Sequence, residues 1–119
     1  MAQGPVLVIG LDPVRIPGWD PEPVVAAIAR GQARFEEHDI EADLCLVAPD
    51  ENAEAAVIAA LTRRDYGCVV VGGGLRKHEP LLELFEKVVN LVRQHAPQAA
   101  IAFNRSPDDM ADAALRWLR

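Results

Sequence analysis

The run Gly72-Gly73-Gly74-Leu75-Arg76-Lys77-His78 joins three residues that lack side chains to three cationic or titratable ones. Before it, Cys68-Val69-Val70-Val71 reads as a buried strand; after it, Glu79-Pro80 opens an amphipathic helix. Glycines between a strand and a helix let the backbone turn tightly or approach a ligand closely. Amide groups at a helix start, with Arg and Lys beside them, suit a phosphate or a carboxylate. Two further loops carry chemistry. Asp12-Pro13-Val14-Arg15-Ile16-Pro17-Gly18-Trp19 offers an acid, a guanidinium and an indole. Asn104-Arg105 offers an amide that both donates and accepts, and a second guanidinium.

These loops need a frame that brings them together, and the hydrophobic pattern supplies one. Apolar runs at Pro5 to Leu11, Ala42 to Val47, Cys68 to Val71 and Ala99 to Phe103 read as strands, the first apolar throughout, as suits strands covered on both faces. Helical periodicity fills the intervals. Val24, Ile28 and Phe35 form one inward stripe after Asp20-Pro21-Glu22-Pro23; Ala53, Val57, Ile58 and Leu61 form another after Pro49-Asp50-Glu51. The helix predicted from Pro80 to about Ala96 has the clearest stripe and is stopped by Pro97. Ser106-Pro107-Asp108-Asp109 has the form of a capping box, ahead of an inward face of Met110, Ala114, Trp117 and Leu118.

Strands alternating with helices predict an α/β domain over residues 1–119, a four-stranded parallel sheet with four helices on its two faces. The expected strand order is 2-1-3-4. This resembles the flavodoxin-like superfold along the whole chain, and the resemblance implies a ligand site beyond the carboxyl ends of strands one and three, where the winding reverses. The expected site combines Asp12, Arg15, Gly72, Gly73, Gly74, Arg76, Lys77, His78 and Asn104. His78 and Asp12 are its two candidates for a general acid or base. The residues do not carry the signatures of particular members. Position 72 is Gly where a phosphoacceptor domain has Asp, and Asp12 to Trp19 lacks the hydroxyls of a flavin phosphate loop, the Cys of a low-molecular-weight phosphatase and the His of a cobalamin domain. Lys77 stands where a dinucleotide fingerprint needs its last glycine.

Each residue also has a structural reading. The glycines serve tight packing or a turn, Arg76 and Lys77 lie in solvent, Asp12 opens an Asp-Pro turn, and Trp19 covers the end of the core. Glu36-Glu37-His38-Asp39 reads as a solvated acidic turn, and Asp108, Asp109 and Asp112 as helix-start acids. No motif specifies a cofactor or a metal site.

Composition bounds the function. With a net charge of −6, the chain lacks the basic surface that nucleic-acid binding needs. No apolar run reaches the ~20 residues of a membrane span. Cys45 and Cys68 stand in strand-like runs without metal or redox spacing, as in a reduced, cytoplasmic protein. Two functions are expected as alternatives: binding of an anionic small molecule at the loop cluster, with or without catalysis, or homodimer formation as an interaction module. For the second, Trp117, Leu118 and Leu75 are the apolar residues whose exposure matters.

Overall fold

The computed structural model describes residues 5–118. Its strands are β1 (Val6–Leu11), β2 (Ala42–Val47), β3 (Cys68–Val71) and β4 (Ala100–Phe103). Its helices are α1 (Glu22–Glu37), α2 (Ala53–Leu61), α3 (Gly73–Arg76), α4 (Leu82–His95) and α5 (Met110–Leu115). The strands form one parallel sheet in the order β2-β1-β3-β4. Val6 lies opposite Ala42 on one side and Cys68 on the other, and Cys68 lies opposite Ala100.

β1 is buried along its whole length because both faces of the sheet are covered. Leu7, Ile9, Val69 and Val71 point to one face, where Val57, Leu61, Val88 and Val92 of α2 and α4 meet them. Val6, Val8, Cys68 and Val70 point to the other, against Phe35, Met110 and Ala114 of α1 and α5. The alternation of side chains along each strand thus divides the core into two layers. α1 lies tight against the turn that leads into α5. A Cβ at Gly31 would stand 2.3 Å from the Pro107 carbonyl oxygen, so this approach requires glycine.

Several expected boundaries move. The glycine segment is not a loop: Gly73–Arg76 close a single helical turn, with Leu75 N–H donating to Gly72 O and Lys77 N–H to Gly73 O. This turn makes a fifth helix. Glu79–Leu81 form a 3-10 turn, so α4 begins at Leu82 and not at Pro80. Pro49–Asn52 likewise precede α2, with Asp50 accepting from Asn52 N–H at 2.9 Å. Trp117 does not face inward: α5 ends at Leu115, and the indole is 54% exposed. Leu75 is fully buried, which removes it as a contact for a partner. The capping box forms, and Ser106 N–H donates to the Asp109 carboxylate at 3.0 Å.

Candidate functional site

At the carboxyl end of the sheet, on the face covered by α1 and α5, a cavity of about 280 Å³ opens to the surface. It lies beside the switch between β1 and β3, where crossovers leave in opposite directions. Val24 and Ile28 of α1, Leu44 and Leu46 of β2 and Met110 of α5 make its aliphatic walls. These residues are half-buried or buried without filling the space between them. Backbone forms much of the remainder. Gly10 of β1 and Gly72, just after β3, line the cavity, and a Cβ on Gly72 would come within 3.3 Å of Gly10 Cα.

None of Gly72, Gly73 and Gly74 has positive φ. Their role is close packing. A Cβ on Gly73 would sit 3.3 Å from Arg105 O, and one on Gly74 would sit 3.4 Å from Leu11 Cβ. The turn of α3 therefore packs between β1 and the segment after β4, tightly at Gly73 and at ordinary contact distance at Gly74.

The rim carries the polar groups. Lys77 and His78 line it from the end of α3, Trp19 from the loop after β1, and Asn104 and Arg105 from the end of β4. Lys77 Nζ donates to Arg105 O, and Arg76 Nη2 donates to Asn104 O at 2.6 Å. Arg76 points away from the cavity, over the Phe103 ring, with its guanidinium carbon 5.7 Å from the centroid. Both cations thus dock α3 onto the end of β4. Among the described residues, no carboxylate pairs with Arg76, Lys77 or Arg105, whereas Arg15, Arg30, Arg34, Arg64 and Lys87 all have such partners. The Asp109 carboxylate accepts from the Arg105 and Ser106 amides.

Of the residues expected at the site, Gly72, Gly73, Gly74, Lys77, His78 and Asn104 line one cavity. Asp12 and Arg15 do not. Asp12 accepts from Val14 N–H and from Arg15 Nε, each at 3.0 Å, and Arg15 reaches on to Leu46 O and Asp50. The loop after β1 spends its charges on its own fold and sends only Trp19 to the rim. The aliphatic walls and the Ser106-Pro107 segment were absent from the expected site. Val24 and Ile28 have the helical spacing of core residues, and spacing alone does not distinguish a wall from a filled interior.

The strongly shifted ionisations lie elsewhere. Burial, then the hydrogen bond to Asp43, pushes Tyr66 up to about 12, and burial pushes the Cys68 thiol up to about 11. Tyr66 Oη donates to Asp43 at 2.7 Å, and Arg64 bridges Asp43 and Glu41; this network joins the amino ends of β2 and β3, opposite the cavity. Among the described residues, no three His, Cys, Asp or Glu side chains converge as metal ligands, and no helix is long and apolar enough to cross a membrane.

No protein-family model matches the chain, and no curated protein matches it in sequence.

Proposed function

We propose that this chain is a flavodoxin-like domain that binds a small molecule with an apolar body and an anionic end. The observation that carries the reading is the combination, in one cavity, of aliphatic walls with a rim of cations that have no carboxylate partners among the described residues. In an acidic protein, such a cluster is a local positive region, and it attracts a carboxylate or phosphate. Lys77 retains two donors beyond its bond to Arg105 O, and His78 stands beside it. The volume lies near the lower limit of ordinary ligand pockets, which favours a ligand of one or two rings or a short branched chain. His78 is the one titratable rim group suited to proton transfer, should the ligand be a substrate. The two buried, unpaired thiols favour a reducing compartment such as the cytoplasm.

The test is thermal unfolding against a panel of small aromatic carboxylates, branched aliphatic acids and sugar phosphates. A compound held at about 100 times its dissociation constant adds about 2.7 kcal/mol, which raises the midpoint by several degrees. The shift is expected to shrink in Lys77→Ala and to vanish in Ile28→Trp, which fills the cavity. A flat response across the panel would overturn the reading.

A second reading, association of two copies, is favoured by the exposure of Phe103 (39%) on the edge strand and of Trp117 (54%). Sedimentation at micromolar concentrations decides it: a monomer throughout would remove it.

A further inference from the structure

Gly10 is buried in β1, two residues after Val8 and on the same face, so a side chain there would point into the cavity that both residues line. The fold does not require glycine at this position. Its φ is not positive. Among the described residues, a Cβ would meet only Leu46 Cδ2, at 3.4 Å, which is ordinary contact with a flexible side chain. Gly72 and Gly73 differ, because a Cβ on either would stand 3.3 Å from backbone. Glycine within a strand lowers stability, through chain entropy and the missing side chain. At Gly10 nothing in the packing offsets that cost, and the result is open space across the middle of the cavity. β1 lies between β2 and β3, so Gly10 separates the aliphatic wall of Leu44 and Leu46 from the cations that follow β3 and β4. With neighbouring strands about 4.8 Å apart, wall and cations are separated by roughly 10 Å or more.

We propose that Gly10 determines ligand specificity: its missing side chain is the passage through which an apolar group reaches the β2 wall while the ligand's anion stays anchored at Lys77. The ligand class is then a compact apolar group, a single ring or a branched end, joined to a carboxylate or phosphate by a spacer of several atoms. This rests on the small-molecule reading above and adds to it the spacing and the residue that enforces it. A ligand with its anion directly beside the ring can fill the wall end or reach the cations, but not both, and so forgoes part of its binding energy.

The experiment is titration calorimetry of the full chain with 5-phenylpentanoate and 2-phenylpentanoate, isomers that share ring, charge and atom count and differ in how far the ring stands from the carboxylate. The first is expected to bind about tenfold more tightly. Gly10→Ala should weaken its binding severalfold and Gly10→Val about tenfold or more. The urea midpoint of Gly10→Ala should be unchanged or higher, since alanine fits the strand without a clash. Gly10→Ala carries the test if the valine variant does not fold. Equal affinities of the two isomers would overturn the inference, as would undiminished binding of 5-phenylpentanoate by the Gly10 variants. Failure of both isomers to bind at millimolar concentration, while another compound of the panel above raises the unfolding midpoint, would overturn the inference and leave the small-molecule reading intact. Failure of both isomers and of the whole panel would overturn the two together.

Discussion

The indole of Trp19 and the imidazole of His78 face one another, with ring centroids 5.2 Å apart and planes tilted by 49°. One comes from the loop after β1 and the other from the turn after α3, so the contact ties together the two loops that flank the switch in the sheet. Tilted ring pairs of this kind contribute roughly 0.5 to 1.5 kcal/mol beyond area burial. Both rings also line the cavity, so anything entering it passes beside them.

Trp19 should therefore report on occupancy. Its fluorescence is expected to change on ligand addition in a Trp117→Phe background, which leaves it as the sole indole. His78→Ala should speed ligand dissociation severalfold while lowering stability by about 1 kcal/mol or less, because both rings are partly or fully at the surface. Stopped-flow fluorescence separates the two effects.

Arg76→Ala should destabilise the fold, unlike an ordinary surface substitution. Its guanidinium donates to Asn104 O and lies over Phe103, so truncation removes a charge-assisted hydrogen bond and a ring contact. A cost of roughly 1.5 to 3 kcal/mol is expected, against about 0.5 kcal/mol for a solvated arginine. Urea midpoints of Arg76→Ala and Arg93→Ala, the latter on the exposed side of α4, provide the comparison.

Gly31→Ala tests the packing of α1. In an exposed helix interior this change would gain roughly 0.5 to 1 kcal/mol from propensity. Here the new Cβ would stand 2.3 Å from the Pro107 carbonyl oxygen and 2.5 Å from Met110 Cε. Methionine can move aside, but backbone cannot without displacing the capped turn into α5. Overpacking of this kind costs about 1 to 3 kcal/mol, so the variant should lose stability on balance, as a lower urea midpoint will show. Because Pro107 and Met110 also line the cavity, ligand affinity should fall with it.

Alkaline pH should weaken the fold through Tyr66. Its folded pKa, about 12, lies above the ordinary tyrosine value of 10.0, raised first by burial and then by the bond to Asp43. The folded state thus holds the phenolic proton more tightly than the unfolded chain. The resulting stability is full below pH ~10 and is lost as pH rises toward ~12, by an amount on the order of 2 to 3 kcal/mol. Cys68, pushed by burial from 9.0 to about 11, acts with the same sign between those values. Urea unfolding from pH 9 to 11.5 should show falling stability, with a shallower fall in Tyr66→Phe. By the same burial, neither thiol should react with a disulfide reagent until the chain unfolds.

The sheet was legible in the residues because its signals were strong and mutually consistent. β2 begins and ends where the apolar run Ala42 to Val47 does, and the strand order followed from alternation with helices. The helical turn at Gly73–Arg76 was not legible, because glycine is a poor helix former and tertiary contacts with Leu11 and the end of β4 impose the turn. Residue types at Asp12 and Arg15 suited a ligand as well as they suit each other; only the fold reveals that they pair. Lys77, His78 and Asn104, expected together from their positions after strands, line one cavity. The face of the sheet on which the cavity opens was hidden, since it depends on how far α1 stands off the sheet.

The glycine surfaces of the cavity also bear on how such a protein can change. Gly10, Gly72 and Gly73 contribute main chain, so the general shape there is nearly independent of which side chains surround it. Val24, Ile28, Leu44 and Met110 stand on separate elements and can each be enlarged, shortened or made polar with little effect on the others. A lineage carrying this backbone could trade one cargo for another through single substitutions at those positions, keeping the same anchor and the same doorway.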